Sequence, residues 1–127
     1  KFDWAVSRLE LLMDLPENLP DAPLDLRVEA GYKLGEAWRT RGETLKAKQI
    51  FWTMYDVAVL EESRVRLMSR KGRYWLARCV FALAEISKDE GQIDQASMFY
   101  RQLVDLRLPG SELAKARLDI LQEPVAN

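Results

Sequence analysis

The side chains that most often do chemistry are scarce in this chain. Its 127 residues contain no histidine and a single cysteine, Cys79. Ser-His-Asp and Cys-His catalysis are therefore excluded, together with every histidine-bearing metal site. One cysteine cannot close an intrachain disulfide. Cys79 stands in the apolar run Leu76-Ala77-Arg78-Cys79-Val80-Phe81, where a thiol behaves as a small buried hydrophobe. Glu61 and Glu62 are neighbouring carboxylates, but adjacent positions on a helix point about 100° apart and do not form an acid–base pair. The phosphate-loop, Gly-x-Ser-x-Gly, His-Glu-x-x-His and calcium-loop signatures are all missing. A carboxylate pair assembled from distant positions is the one enzymatic arrangement left open. The expectation is a non-enzyme with no cofactor and no metal.

Charge narrows the partners further. The chain carries 19 basic and 20 acidic side chains, a formal net charge of −1, so no overall field favours nucleic acid or an anionic membrane. One basic run stands out, Arg64, Arg66, Arg70, Lys71 and Arg73. It suits RNA or an acidic partner, or reads more plainly as a solvated helix face beside Glu61 and Glu62. No apolar stretch approaches the roughly 18 residues of a membrane span. Gly31-x3-Gly35 matches a membrane helix-dimer motif, but Glu29, Lys33 and Glu36 surround it, and close packing of soluble helices explains it instead. The partner expected is another protein or a peptide, with no nucleic acid and no membrane insertion. Trp52 and Trp75 either pack on long helices or form an exposed interface patch.

Helical periodicity runs almost throughout; strand signals are almost absent, and there is no Asn-Gly or Asp-Gly hairpin signal. A first helix is predicted from about Phe2 to Asp14, with Ala5, Leu9, Leu12 and Met13 on its apolar face. Pro16, Pro20 and Pro23 then make a stiff linker. A second helix spans about Leu24 to Arg41 and stops at Gly42 as a C′ residue. A third starts near Glu43 and carries Ala47, Ile50, Phe51, Met54, Tyr55 and Ala58. A break falls between Glu61 and Gly72, with Ser63, Ser69 and Gly72 as candidates. A long helix then reaches Glu90 and stops at Gly91. A fifth runs from about Gln92 to Leu106, and a last helix from Ser111, an N-cap followed by Glu112, to Leu121. Helix, short turn, helix, repeated, describes stacked αα-hairpins.

The repeat is also visible residue by residue. Leu34-Gly35-x2-Trp38, Gly42 and Ala47-x3-Phe51 are followed by Leu83-Ala84, Gly91, Ala96-x3-Tyr100 and Pro109, while Phe2-x2-Ala5-x3-Leu9 and Pro16 open the chain. Small residues such as Gly35, Ala47 and Ala96 let helices approach, and Trp38, Phe51 and Tyr100 fill the adjoining gaps. This pattern resembles the tetratricopeptide-repeat family over most of the chain. Ala5, Ala47 and Ala96 are 42 and 49 residues apart rather than about 34, so the repeats are lengthened. Gly31 and Ser87 also depart from the family's usual large residues. The Leu108-Pro109-Gly110-Ser111 boundary followed by Ala114 and Ala116 is similar to repeat boundaries in bacterial envelope proteins of this family, which favours a periplasmic setting over a cytoplasmic one.

The resemblance implies an all-α fold of antiparallel helix pairs stacked as a right-handed superhelix. Residues 1–127 form one domain: a half repeat at 1–15, repeats at 28–61 and 77–110, and a capping helix at 111–121. The family's groove positions fall on Glu29, Tyr32, Glu36 and Arg39 in one repeat and on Arg78, Phe81, Glu85 and Lys88 in the next. Aromatics beside mixed charges suit an extended or helical peptide. The chaperone-tail clamps of the family use Lys and Asn where Tyr32, Glu36, Phe81 and Glu85 stand, so that ligand is not implied. The implied function is a non-catalytic interaction scaffold. The alternatives are a packing segment of a longer solenoid without a groove, and an RNA-binding helical repeat.

The chain opens at Lys1 rather than Met, and its first helix looks like the second half of a repeat that begins upstream. An apolar strip on that helix should then pack sideways on the second helix or drive association with another copy. Sedimentation at several concentrations is expected to show self-association that weakens when one helix is added upstream. A strictly monomeric chain would contradict the half-repeat reading.

Overall fold

A computed structural model describes residues 2–13, 23–59 and 62–122. These residues form seven helices and no strand: α1 (Phe2–Met13), α2 (Pro23–Thr40), α3 (Thr44–Val59), α4 (Glu62–Leu67), α5 (Arg70–Asp89), α6 (Ile93–Asp105) and α7 (Ser111–Gln122). The all-α expectation holds. Pro16 and Pro20 of the expected linker lie outside the described residues, as do Glu61 and the side chains of Leu12 and Met13.

Each helix end has a local chemical cause. Pro23 opens α2, where its missing N–H costs nothing and its fixed φ is already helical. Gly42 closes α2 with φ +83, and the N–H groups of Gly42 and Glu43 donate to the Arg39 and Trp38 carbonyls at 3.0 and 2.9 Å. The end of α5 repeats this arrangement. Gly91 has φ +79, and Gly91 and Gln92 donate to Lys88 and Ser87. Both ends thus satisfy their last carbonyls through the same left-handed residue. The end of α6 uses the same bonds around Arg107, a non-glycine residue at φ +52. The break between Glu61 and Gly72 resolves at Ser69. Its Oγ accepts from the Gly72 N–H at 3.1 Å and caps α5. Ahead of that cap stands the short α4, an element the periodicity did not separate.

The helices pack in sequence order. α2 lies against α3, α5 against α6, and α2 and α3 both rest on α5, with α7 on α6 and α1 on α2. On α3 the buried positions are Ala47, Phe51, Met54 and Ala58, one stripe of a 3.6-residue period. α5 touches neighbours on several sides and buries a wider face, from Leu76 and Cys79 through Leu83 to Ser87. The Ser87 hydroxyl is fully buried and donates to Gln95 Oε1 at 2.9 Å, which meets its hydrogen-bonding need. Trp52 stands edge-on to Phe99 at 5.1 Å and Trp75 leans on Tyr32 at 5.5 Å. Both tryptophans are therefore packed, not an exposed patch.

The first helix departs from expectation. Val6 is buried while Ala5 is exposed, so Ala5 does not play the part that the buried Ala47 and Ala96 play. The reason is the docking of α1 on α2. Phe2 meets Trp38 edge-on at 5.1 Å, and the Arg41 guanidinium lies 4.1 Å from the Phe2 ring. That contact turns Phe2, Val6 and Leu9 inwards and leaves Trp4 66 % exposed, with Arg8 over its ring.

Gly35 sits where α2 meets α3, and a Cβ there would overlap the Phe51 ring. Gly110, by sequence an ordinary loop position, has φ +86, and a Cβ on it would approach Phe81 to 2.9 Å. Both positions therefore resist a side chain, for different reasons. Phe51 is fully buried and has nowhere to go, whereas Phe81 is half-buried and can swing. Gly35→Leu is expected to cost about 3 kcal/mol or more, and Gly110→Leu about 1–2 kcal/mol of left-handed strain. Denaturant melts of the two variants check this. Equal small losses would show that Gly35 is not a packing position.

Candidate functional site

An open cleft of about 520 Å³ runs along one side of α2, α5 and α7. α2 contributes Tyr32, Glu36 and Arg39, and α5 contributes Tyr74, Arg78, Phe81 and Glu85. These positions recur every three or four residues, so each set lies on one helix face. Pro109 and Gly110, in the turn before α7, and then Leu113 and Arg117 close the far wall.

Six of the eight residues expected to line a groove converge here: Tyr32, Glu36, Arg39, Arg78, Phe81 and Glu85. Glu29 does not. Its carboxylate is engaged by Lys33 at 2.8 Å and Lys71 at 3.8 Å, and the Lys33 hydrogen bond holds it below the usual carboxylate range. Lys88 lies one turn beyond the cleft and borders an adjoining hollow that shares Glu85 and Arg117 with it. Tyr74, Leu113 and Arg117 line the cleft without having been expected. Tyr74 continues the 78, 81, 85 series by one turn, and Leu113 and Arg117 are four apart on a helix read only as a cap. The same periodicity would have found Tyr74, but not the approach of α7.

The cleft combines an apolar floor with ordered charges. Phe81 stands edge-on to Tyr100 at 6.2 Å, and the Arg117 guanidinium lies 5.9 Å from its ring. Glu85 binds two arginines from different helices, Arg117 at 3.0 Å and Arg39 at 3.5 Å. Arg39 also reaches Glu36 at 3.4 Å. Each of these solvent-accessible pairs is worth about 0–1 kcal/mol, so together they order α2, α5 and α7 across the cleft more than they stabilise the fold. Hydrogen bonds that Arg117 donates to the Tyr100 hydroxyl and the Glu85 carboxylate favour its charged form. Arg78 donates to the Tyr32 hydroxyl from Nη2 at 2.8 Å and Nε at 3.2 Å, and to the Tyr74 hydroxyl from Nη1 at 3.4 Å. The Tyr32 bond raises its pKa further.

Several members of the basic run have protein partners, and Arg70 and Arg73 border one hollow with Arg107. Arg64 donates to the Val57 carbonyl at 3.2 Å. Arg73 donates to the carbonyls of Leu106 and Arg107 at the end of α6, while Lys71 turns to Glu29. Among the described residues no group of three metal-ligating side chains forms, and no helix is long and apolar enough to cross a membrane. Comparison with known proteins found no matching family model, no similar curated protein and no similar solved structure.

Cys79 faces the core at zero exposure, and its burial pushes the thiol pKa far up. Thiolate is the reactive form, so a thiol reagent should modify Cys79 only after unfolding. Labelling of the native protein at the rate seen in denaturant would contradict this packing.

Proposed function

We propose that this chain is a non-catalytic protein-interaction scaffold of tetratricopeptide-like build, with α2–α3 and α5–α6 as successive helix pairs of a right-handed superhelix. Its cleft holds a peptide segment of a partner protein. The observation that carries this reading is the convergence of Tyr32, Glu36, Arg39, Arg78, Phe81 and Glu85 from two helices on one open, partly apolar cleft. Supporting it, the two pairs share their turn chemistry and spacing. Gly42 precedes the buried Ala47 and Phe51 by the same intervals at which Gly91 precedes the buried Ala96 and Tyr100. α7 follows α6 as a further first helix and adds Leu113 and Arg117 to the same wall.

The side chains in the cleft suit recognition better than turnover. Both carboxylates facing it are engaged by arginines. Phe81 and Leu113 offer apolar contact, and the surrounding tyrosines and arginines are the types enriched at binding hot spots. A nucleic-acid surface is less well supported, since Arg64 and Arg73 are occupied by backbone carbonyls instead of forming a continuous basic stripe.

Selection from a displayed random-peptide library tests the reading. Peptides recovered on the wild-type chain are expected to bind the folded Phe81→Ala variant at least tenfold more weakly, since deleting an aromatic anchor typically costs 2 kcal/mol or more. Peptides that bind both proteins equally would place recognition elsewhere.

A further inference from the structure

The cleft is not electrically balanced, and the imbalance sits at one side chain. Three arginines and two glutamates line it. Arg39 and Arg117 are both taken by Glu85, and Arg39 also reaches Glu36. Among the described residues no carboxylate lies at ion-pair distance from Arg78; Glu36, already paired with Arg39, acts on its charge only from further away. Arg78 is exposed, yet it is held in place by two tyrosine hydroxyls and lies over their rings at 5.1 and 5.9 Å.

That arrangement leaves a defined set of donors. A guanidinium has five N–H bonds. Three are used, Nε–H and one on Nη2 to Tyr32 and one on Nη1 to Tyr74. One N–H therefore remains on each terminal nitrogen. Tyr32 and Tyr74 accept from Arg78, so their own hydroxyl protons are also available. Four donors around one fixed cation match the two oxygens of a carboxylate. The tyrosine contacts restrain a side chain that would otherwise lose much rotamer freedom on binding.

On the reading that the cleft holds a peptide, we propose that its ligand is an acidic segment. An Asp or Glu side chain docks on Arg78 between Tyr32 and Tyr74, and a neighbouring apolar side chain rests on Phe81 and Leu113. The positive excess of the cleft complements that charge. Lys33, over the Trp75 ring at 5.4 Å, and Lys71 both pair with Glu29.

The test uses peptides selected on the purified chain, each paired with a version in which Asp or Glu becomes Asn or Gln. Affinities are measured for wild type, Arg78→Gln, Arg78→Lys and Phe81→Ala, each verified as folded by its melting transition. The inference predicts an acidic residue at a fixed distance from an apolar one. The amide swap should weaken binding about tenfold on wild type, as expected for a charge-assisted pair, and less than twofold on Arg78→Gln. Arg78→Lys should keep part of the preference. Peptides that depend on Phe81 but show no acidic preference, or lose as much on Arg78→Gln as on wild type, overturn this inference and leave the groove standing. Failure to recover any peptide that depends on Phe81 overturns both.

Discussion

The close approach of α2 to its neighbours is the constraint on which the rest of the molecule depends. Gly31 and Gly35 occupy the α2 face turned to α3, where a Cβ would run into Met54 and Phe51 respectively. At the other contact Gly72, in the first turn of α5, has room only for a hydrogen beside the Asp25 carboxylate, whose Oδ2 accepts from the Ser69 N–H at 3.3 Å. Three glycines thus seat α2 against α3 and α5 at once. Interiors at native density absorb little expansion, so a larger residue at any of these points would push the helices apart. The outward faces of α2 and α5 are brought together by the same packing. Only at this spacing can Tyr32 reach Arg78 and Arg39 reach Glu85.

Much of this was legible in the residues, for a physical reason. Helix ends at Gly42 and Gly91 were readable because a left-handed closing residue is chemically specific. The stripes through Ala47, Phe51 and Met54, and through Ala96 and Tyr100, were readable because burial against neighbours imposes a 3.6-residue period. The face of α1 was not. Ala5 fits the spacing of the repeat as well as Val6 fits the core, and only the seating of Phe2 on Trp38 decides between them. Arg107 was equally opaque, since a non-glycine residue with positive φ leaves no compositional mark.

The cleft divides in the same way. Six residues were placed by the resemblance, whose implied groove positions fall on the faces that α2 and α5 turn to the cleft. Glu29 lies on the same face of α2 about one turn before Tyr32 and is committed to Lys33 and Lys71, whereas Lys88 lies past the end of the shared wall. The contribution of α7 was missed because its approach depends on the turn at Arg107–Gly110, whose backbone signs are not written in the residue types. Gly110 shapes the floor as well, since it makes room for the Phe81 ring.

Mapping a bound peptide onto the amide resonances of the isotopically labelled chain tests the central claim most directly. If the cleft is the binding surface, titration with a selected peptide should shift residues around Tyr32, Arg78, Phe81 and Leu113 together, with one saturation curve. The outward surfaces of α3 and α6 should stay unchanged. Shifts confined to those surfaces, or scattered without saturation, would contradict the account.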